Sequence, residues 1–271
     1  MKIIVPTDFS DCSKIAIRFA EGFARQLQAE LILLHVLPNV GPTIARQPSD
    51  HFKQELLEWA EKQFSALEAE ITADGFTLSH QIAHGAGVEK VVESFVQEHA
   101  IDMVIMGSRG ASGLKKVLLG SNTVDVINHC SVPVVVVPDH AISTPITHLL
   151  YASDLKNLGE EAEALVPYAR LLQATIKIIH VPPMEYKEHI DTEKLLLTQR
   201  QKTNYQAIEI ELLEGEDVAT TIEQYAAASH GEILAMFTHQ TSFLEQLFRH
   251  SITREIVWHN QIPLLVINTQ E

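Results

Sequence analysis

The sequence predicts an α/β fold: two tandem domains, each a parallel sheet with helices on both faces. Three observations predict it. Short apolar runs at residues 3–5, 31–36, 103–106 and 134–137 lack apolar–polar alternation, as expected of strands buried on both sides. Longer amphipathic stretches separate the runs, and strand–helix–strand order makes successive strands parallel. The pattern then occurs a second time along the 271 residues.

The elements follow in order. The first strand ends at Pro6-Thr7-Asp8. A helix over 11–28 places Ile15, Ile17, Phe19, Phe23 and Leu27 mostly on one face. The second strand ends at His35-Val36. The clearest helix spans 50–73, with Phe52, Leu56, Ala60, Phe64, Leu67 and Ile71 at helical spacing, Ser49 or Asp50 as cap and Gly75 as stop. After the strand at 103–106, Gly107 and Gly110 form a loop, and a helix starts at Gly120-Ser121-Asn122-Thr123. The strand at 134–137 closes the copy.

The repeat is legible in three blocks. Ile3-Ile4-Val5-Pro6-Thr7-Asp8-Phe9 matches Leu149-Leu150-Tyr151-Ala152-Ser153-Asp154-Leu155. Leu33-Leu34-His35-Val36 matches Ile178-Ile179-His180-Val181, and Val132-Pro133-Val134-Val135-Val136-Val137 matches Ile262-Pro263-Leu264-Leu265-Val266-Ile267. The offset falls from 145 at His35 and His180 to 130 at Met106 and Met236, so the second copy lacks about 15 residues between its second and third strands. A repeat of this length is a duplicated domain. The expected boundaries are 1–139, a linker at 140–145 with prolines at its margins, and 146–271.

Composition narrows the function classes. The net charge of −15 argues against nonspecific nucleic-acid or anionic-membrane binding. Two cysteines, Cys12 and Cys130, make no disulfide framework and suit a reducing compartment. No signal-peptide core and no apolar run of membrane-spanning length is present, so a cytoplasmic protein is expected.

The stretch at 104–123 carries the chemistry. A strand running into Gly107, Gly110 and then Gly120-Ser121-Asn122-Thr123 suits an anion such as a nucleotide's phosphates. Glycine lets backbone approach phosphate, and the helix start adds unpaired N–H groups and a favourable dipole. Arg109, Lys115 and Lys116 place three cations here. The alternative reading is a surface loop with turn glycines and a capped helix. No P-loop is present, and Gly85-Ala86-Gly87 lacks the third glycine of a dinucleotide fingerprint.

Gly107-x-x-Gly110, nine residues, then Gly120-Ser121 resembles the ATP-binding signature of the universal stress protein family. Val5-Pro6-Thr7-Asp8-Phe9-Ser10, Leu34-His35-Val36 and Pro133-Val134-Val135-Val136-Val137 resemble it too, and the second copy matches in pattern. The resemblance implies two five-stranded parallel sheets in order 3-2-1-4-5. It implies an adenine nucleotide as partner and ATP, with Mg as a companion, as cofactor. Asp8 would meet the adenine or ribose, with Pro6 and Thr7 lining the pocket. Val36, Met106 and Gly107 would form the adenine wall. Gly110, Gly120, Ser121 and Asn122 would hold the phosphates, with Arg109 and Thr123 beside them. Asp8 also reads as a helix cap, and Val36 and Met106 as core. The duplicated domains are expected to pack as a pseudo-symmetric pair, with a homodimer as a further assembly.

The second copy departs from the signature: Phe237 stands for Gly107, Gln240 for Gly110 and His250 for Gly120, while Ser251 keeps the hydroxyl. It reads as a degenerate partner whose three side chains fill the phosphate space. A nucleotide-free scaffold and a slow ATP hydrolase are the alternatives, although no catalytic constellation stands out. The 14 histidines show no zinc spacing, and His35 and His180 share a structural role at equivalent strand ends. Cys12 sits where a helix start can lower a thiol pKa, but reads as an ordinary small residue. Phe243, Leu244, Leu247 and Phe248, with Phe237, read as core or domain interface, or as the lining of an apolar pocket.

Overall fold

Strand β1 (Lys2–Pro6) is flanked on both sides, which explains its unbroken apolar run: it pairs in parallel with β2 (Glu30–Pro38) and with β4 (Met103–Gly107). The computed structural model of the chain describes residues 1–38, 50–110, 120–183, 190–228, 232–237 and 262–268. The chain divides into two compact units, Met1–Asp139 and His140–Glu271. Residues 141–147 carry neither helix nor strand.

In the first unit β3 (Thr77–Gly85) joins the far side of β2, and β5 (Val134–Val137) the far side of β4, which gives the order 3-2-1-4-5. Helix α1 (Asp11–Leu27) buries Ala16, Ile17, Ala20, Phe23 and Ala24. Ser10 caps it, and it ends where Gln28 turns left-handed at φ 51°. Helix α2 (Asp50–Glu70) buries Ala60, Phe64 and Leu67. Its first turns are largely exposed, and Phe52, read as part of the apolar face, is 45% exposed. The expected cap Ser49 lies outside the described residues. Helices α3 (Val88–His99) and α4 (Ser121–His129) precede β4 and β5 respectively.

The second unit repeats the order with β6 (His148–Ala152) in the centre, β7 (Thr175–His180) and β8 (Ile208–Leu212) on one side, β9 (Glu232–Phe237) and β10 (Leu264–Ile267) on the other. Helices α5 (Leu158–Leu172), α6 (Thr192–Thr203) and α7 (Val218–Ala228) alternate with these strands. Leu31 pairs with Leu78, and their counterparts Ile176 and Ile208 pair likewise, so the offset has already reached 130 by the third strand. The missing 15 residues therefore fall between strands two and three, where α6 has 12 residues against the 21 of α2.

Candidate functional site

In the first unit the carboxyl ends of β1, β2 and β4 and the start of α4 enclose a cavity of about 300 Å³. It lies beside β1 and β4, where the strand order reverses, the crevice in which open parallel sheets hold ligands. All twelve residues singled out in the sequence line it. Pro6, Thr7 and Asp8 come from the end of β1 and Val36 from β2. Met106 and Gly107 come from β4, Arg109 and Gly110 from the turn beyond it, and Gly120, Ser121, Asn122 and Thr123 from the start of α4. Sequence reasoning missed Ser13, Leu34 and Val88 and gave His35 only a structural role. Val88 had a usable signal, since it follows Gly85-Ala86-Gly87 at the end of the neighbouring strand.

The turn after β1 is built by short polar bonds. Thr7 N–H donates to the Leu34 carbonyl at 2.8 Å, and Phe9 N–H donates to Thr7 Oγ1 at 3.0 Å. Asp8 Oδ1 accepts from Ser10 N–H at 3.1 Å and from Ser10 Oγ at 2.5 Å. Ser10, not Asp8, is thus the helix cap, and Asp8 is exposed at the cavity. This geometry puts Phe9 at φ 62°, a left-handed conformation costing roughly 1–3 kcal/mol in a residue of this kind. Aromatic packing offsets that cost: the Phe9 ring lies 4.6 Å from His35, 5.1 Å from Phe64 and 5.4 Å from Trp59. His35 Nδ1 donates to the Thr7 carbonyl at 2.7 Å and locks the turn from β2.

At the other end α4 begins with no side-chain cap, Gly120 being at φ −65° and ψ 150°. Gly120 N–H donates to the Ser108 carbonyl at 2.8 Å, so Gly120 contributes room at the site and not a donor. The first-turn N–H groups of Ser121, Asn122 and Thr123 face no intrahelical carbonyl, as at any helix start. The Thr123 hydroxyl is spent within the protein. It is buried and donates to the Gly107 carbonyl at 3.1 Å, tying α4 to β4.

The glycines divide by what a side chain would meet. Gly107 is the last residue of β4 and not part of a loop, pairing with Val137. A Cβ there would lie 2.9 Å from Cys12 Sγ and 3.1 Å from the Cys12 carbonyl oxygen, so α1 sets this glycine. At Gly110 a Cβ would lie 2.9 Å from Asp8 Oδ2, which brings the two ends of the motif together. At Gly120 a Cβ would meet only ordinary contacts, 3.6 Å from Arg109 Cα and Gly110 N and 3.7 Å from Ser108 O.

Of the three cations expected here, Lys115 and Lys116 lie outside the described residues. Arg109 is not a free charge: its guanidinium donates to Asp139 Oδ2. Asp139 Oδ1 also accepts from Cys12 Sγ at 3.0 Å and from Ser108 Oγ at 3.4 Å. Burial, and then the Asp139 carboxylate, push the Cys12 thiol up to about 11, the reverse of an activating helix start. Burial likewise raises Cys130 to about 11.

The second unit keeps the first turn. Leu155 N–H donates to Ser153 Oγ at 3.0 Å, Leu155 stands at φ 67°, and His180 Nδ1 donates to the Ser153 carbonyl at 2.7 Å. The shared structural role of His35 and His180 is borne out. Asp154, the counterpart of Asp8, makes an ion pair with Lys156 Nζ at 3.1 Å. Strand register confirms Phe237 as the counterpart of Gly107: Ile267 pairs with it as Val137 pairs with Gly107. Phe237 is wholly buried and edge-on to Tyr151 at 5.5 Å between centroids. Gln240, His250, Ser251, Phe243, Leu244, Leu247 and Phe248 lie outside the described residues. Among the described residues no cluster of His, Cys, Asp and Glu is arranged to hold a metal, and no helix is long and apolar enough to cross a membrane.

The chain is similar to known proteins. A universal stress protein G from Shigella flexneri is 34% identical over 140 residues, spanning 50% of this chain and 96% of its own. Universal stress protein MJ0577 of Methanocaldococcus jannaschii is 32% identical over 152 residues, spanning 50% of this chain and 93% of its own. The crystal structure of a universal stress protein from Archaeoglobus fulgidus covers 98% of both chains with a TM-score of 0.68 at 18% identity, a likeness of fold. The universal stress protein family model matches residues 1–138 and again 148–268, and the chain belongs to that family as a tandem of two such domains.

Proposed function

We propose that the first domain binds one ATP per chain as a regulatory ligand. One observation carries this: every position of the glycine signature, 107, 110 and 120, shares a single cavity with Asp8 and Val36 at the strand-order switch. The cavity volume is at the low end for small-molecule sites. The base and ribose belong against Pro6, Thr7, Asp8, Val36 and Met106. The phosphates belong on the uncapped start of α4, beside Gly110 and Gly120. Three or four hydrogen bonds to charged oxygens, each worth roughly 1.5–3 kcal/mol, support micromolar affinity once association costs are met. Asp8 is the sole carboxylate among the described lining residues, so a Mg ion would be held mainly by phosphate oxygens and water.

ATP would act by linkage, stabilising whichever state of the domain holds the cradle closed. The test is calorimetry of the full chain with Mg-ATP, together with mass spectrometry of whatever nucleotide is released on denaturation. The expected result is a stoichiometry near one that Gly120→His abolishes. A stoichiometry near two would assign a site to the second domain as well. Absence of both heat and a thermal shift with Mg-ATP would sink the reading and favour a nucleotide-free scaffold.

A further inference from the structure

We propose that Asp139 is a specificity-determining residue of this site, setting how many phosphates the ligand carries by competing with them for Arg109. The inference rests on the nucleotide reading above. Arg109 lies between two glycines of the signature and lines the cavity, yet its charge is directed to Asp139 at the end of β5. That carboxylate collects donors from three residues: Arg109 and Ser108 beyond β4, and Cys12 in the first turn of α1. The Arg109 and Asp139 side chains are 23% and 26% exposed, enough shielding for the pair to hold and enough access for exchange.

The charge balance gives the pair its consequence. Among the described lining residues the ionised side chains are Asp8 and Arg109, and Arg109 is cancelled by Asp139. With the pair closed, the described lining residues offer a phosphate backbone N–H groups, hydroxyls and the Asn122 amide. An outer phosphate, a stronger and more highly charged acceptor than a carboxylate, draws the guanidinium across. Asp139 keeps its Cys12 and Ser108 donors when that happens, so its charge is not stranded. Adenosine has no group able to compete for the arginine. The arginine therefore adds affinity in proportion to phosphate number, and Asp139 sets how much.

The experiment measures the affinities of ATP, adenosine and inorganic tripolyphosphate for the full chain, for Asp139→Asn, for Arg109→Gln and for the double variant. Asparagine keeps the shape and an acceptor for Cys12, and melting curves in the absence of ligand verify folding. Asp139→Asn is expected to strengthen ATP and tripolyphosphate roughly three- to tenfold, the scale of one charge-assisted contact at a partly exposed site. Adenosine affinity stays within twofold, and the gain is absent in the Arg109→Gln background. A gain shared equally by adenosine, a gain that survives Arg109→Gln, or no gain overturns the proposal while leaving ATP binding intact. A gain for tripolyphosphate with no affinity for ATP or adenosine keeps the exchange and overturns the nucleotide reading. No binding of any probe to any variant overturns both.

Discussion

Gly120 can be changed with little consequence for the fold and a large one for a ligand. Its backbone, φ −65° and ψ 150°, is open to any residue. A Cβ built there sits 3.6 Å or more from its neighbours, at ordinary van der Waals distance. Gly120→Ala should therefore cost the free protein only the cap preference, about 0.5–1 kcal/mol, or a melting shift of about 5 °C or less. A phosphate on the Ser121 and Asn122 N–H groups would be displaced by the added atoms. Losing two charge-assisted hydrogen bonds, partly replaced by water, is worth about 2–4 kcal/mol, or roughly 30- to 1000-fold in affinity. Gly120→His, copied from position 250 of the second domain, should fall at or beyond the upper end. The assay pairs thermal melts of the free variants with calorimetric titration of ATP and of adenosine. Adenosine should lose much less than ATP. ATP affinity within threefold of the parent in Gly120→His would refute the placement of phosphates at α4. A melting drop above 15 °C would refute the claim that position 120 has room.

Three further outcomes are expected. His80 Nδ1 lies 2.7 Å from Glu68 and Nε2 3.1 Å from Glu61; burial pulls its pKa down, but the two carboxylates outweigh burial and the net shift is upward from 6.5. Its contribution to stability is then complete below pH 6.5 and lost as pH rises through the folded value, so an NMR titration of His80 should show a midpoint above 6.5 that Glu68→Gln lowers. Cys12, at about 11, should react with a thiol reagent at pH 8 at roughly a hundredth of the rate of a thiol titrating at 9, until denaturant exposes it; rapid labelling of the native chain would count against the Asp139 contact. Tyr151→Phe, which strands the buried Glu161 carboxylate of its hydroxyl partner, should destabilise the second domain by about 1–3 kcal/mol in urea melts, and a neutral outcome would deny that bond any net value.

What was legible in the sequence is what local pattern controls. Strands β1, β4 and β5 are buried on both faces, and their unbroken apolar runs announced them. Strand β3 sits at the sheet edge with mixed burial, and its run of polar residues and histidines gave only a hint of extended chain. The first turns of α2 have apolar residues at helical spacing, yet Phe52 and Trp59 stay substantially exposed, because spacing reports a face and not what covers it. The glycine signature marked the described residues that line the cavity from Gly107 to the start of α4. Two properties were beyond its reach. The Arg109–Asp139 pair joins residues 30 positions apart through the pairing of β4 with β5. The contact of Phe237 with Tyr151 depends on how the side chains of β9 and β6 pack, and a substitution at an aligned position does not reveal that.

The two domains act as an internal comparison that separates glycines kept for packing from glycines kept for a ligand. Gly85 and Gly215 occupy the same position in both copies, and in each a side chain would collide with a side chain of the following helix. A Cβ at Gly85 would lie 2.0 Å from Val91 Cγ2, and one at Gly215 would lie 1.8 Å from Thr221 Oγ1. The hydroxyl at Thr7 or Ser153 and the histidine at 35 or 180 likewise hold one turn in both domains, so they belong to the fold whether or not a nucleotide is bound. Gly120 is the opposite case. The first domain leaves space for a side chain there, its backbone needs no glycine, and the second domain carries histidine. Among the described residues, packing and conformation give no reason for glycine at 120, which favours an occupant on the cavity side. Gly110 adds to it, since its missing side chain keeps the backbone against the Asp8 carboxylate at the same cavity. The case for a phosphate in the first domain thus rests less on the number of glycines than on Gly120, which the described packing does not need.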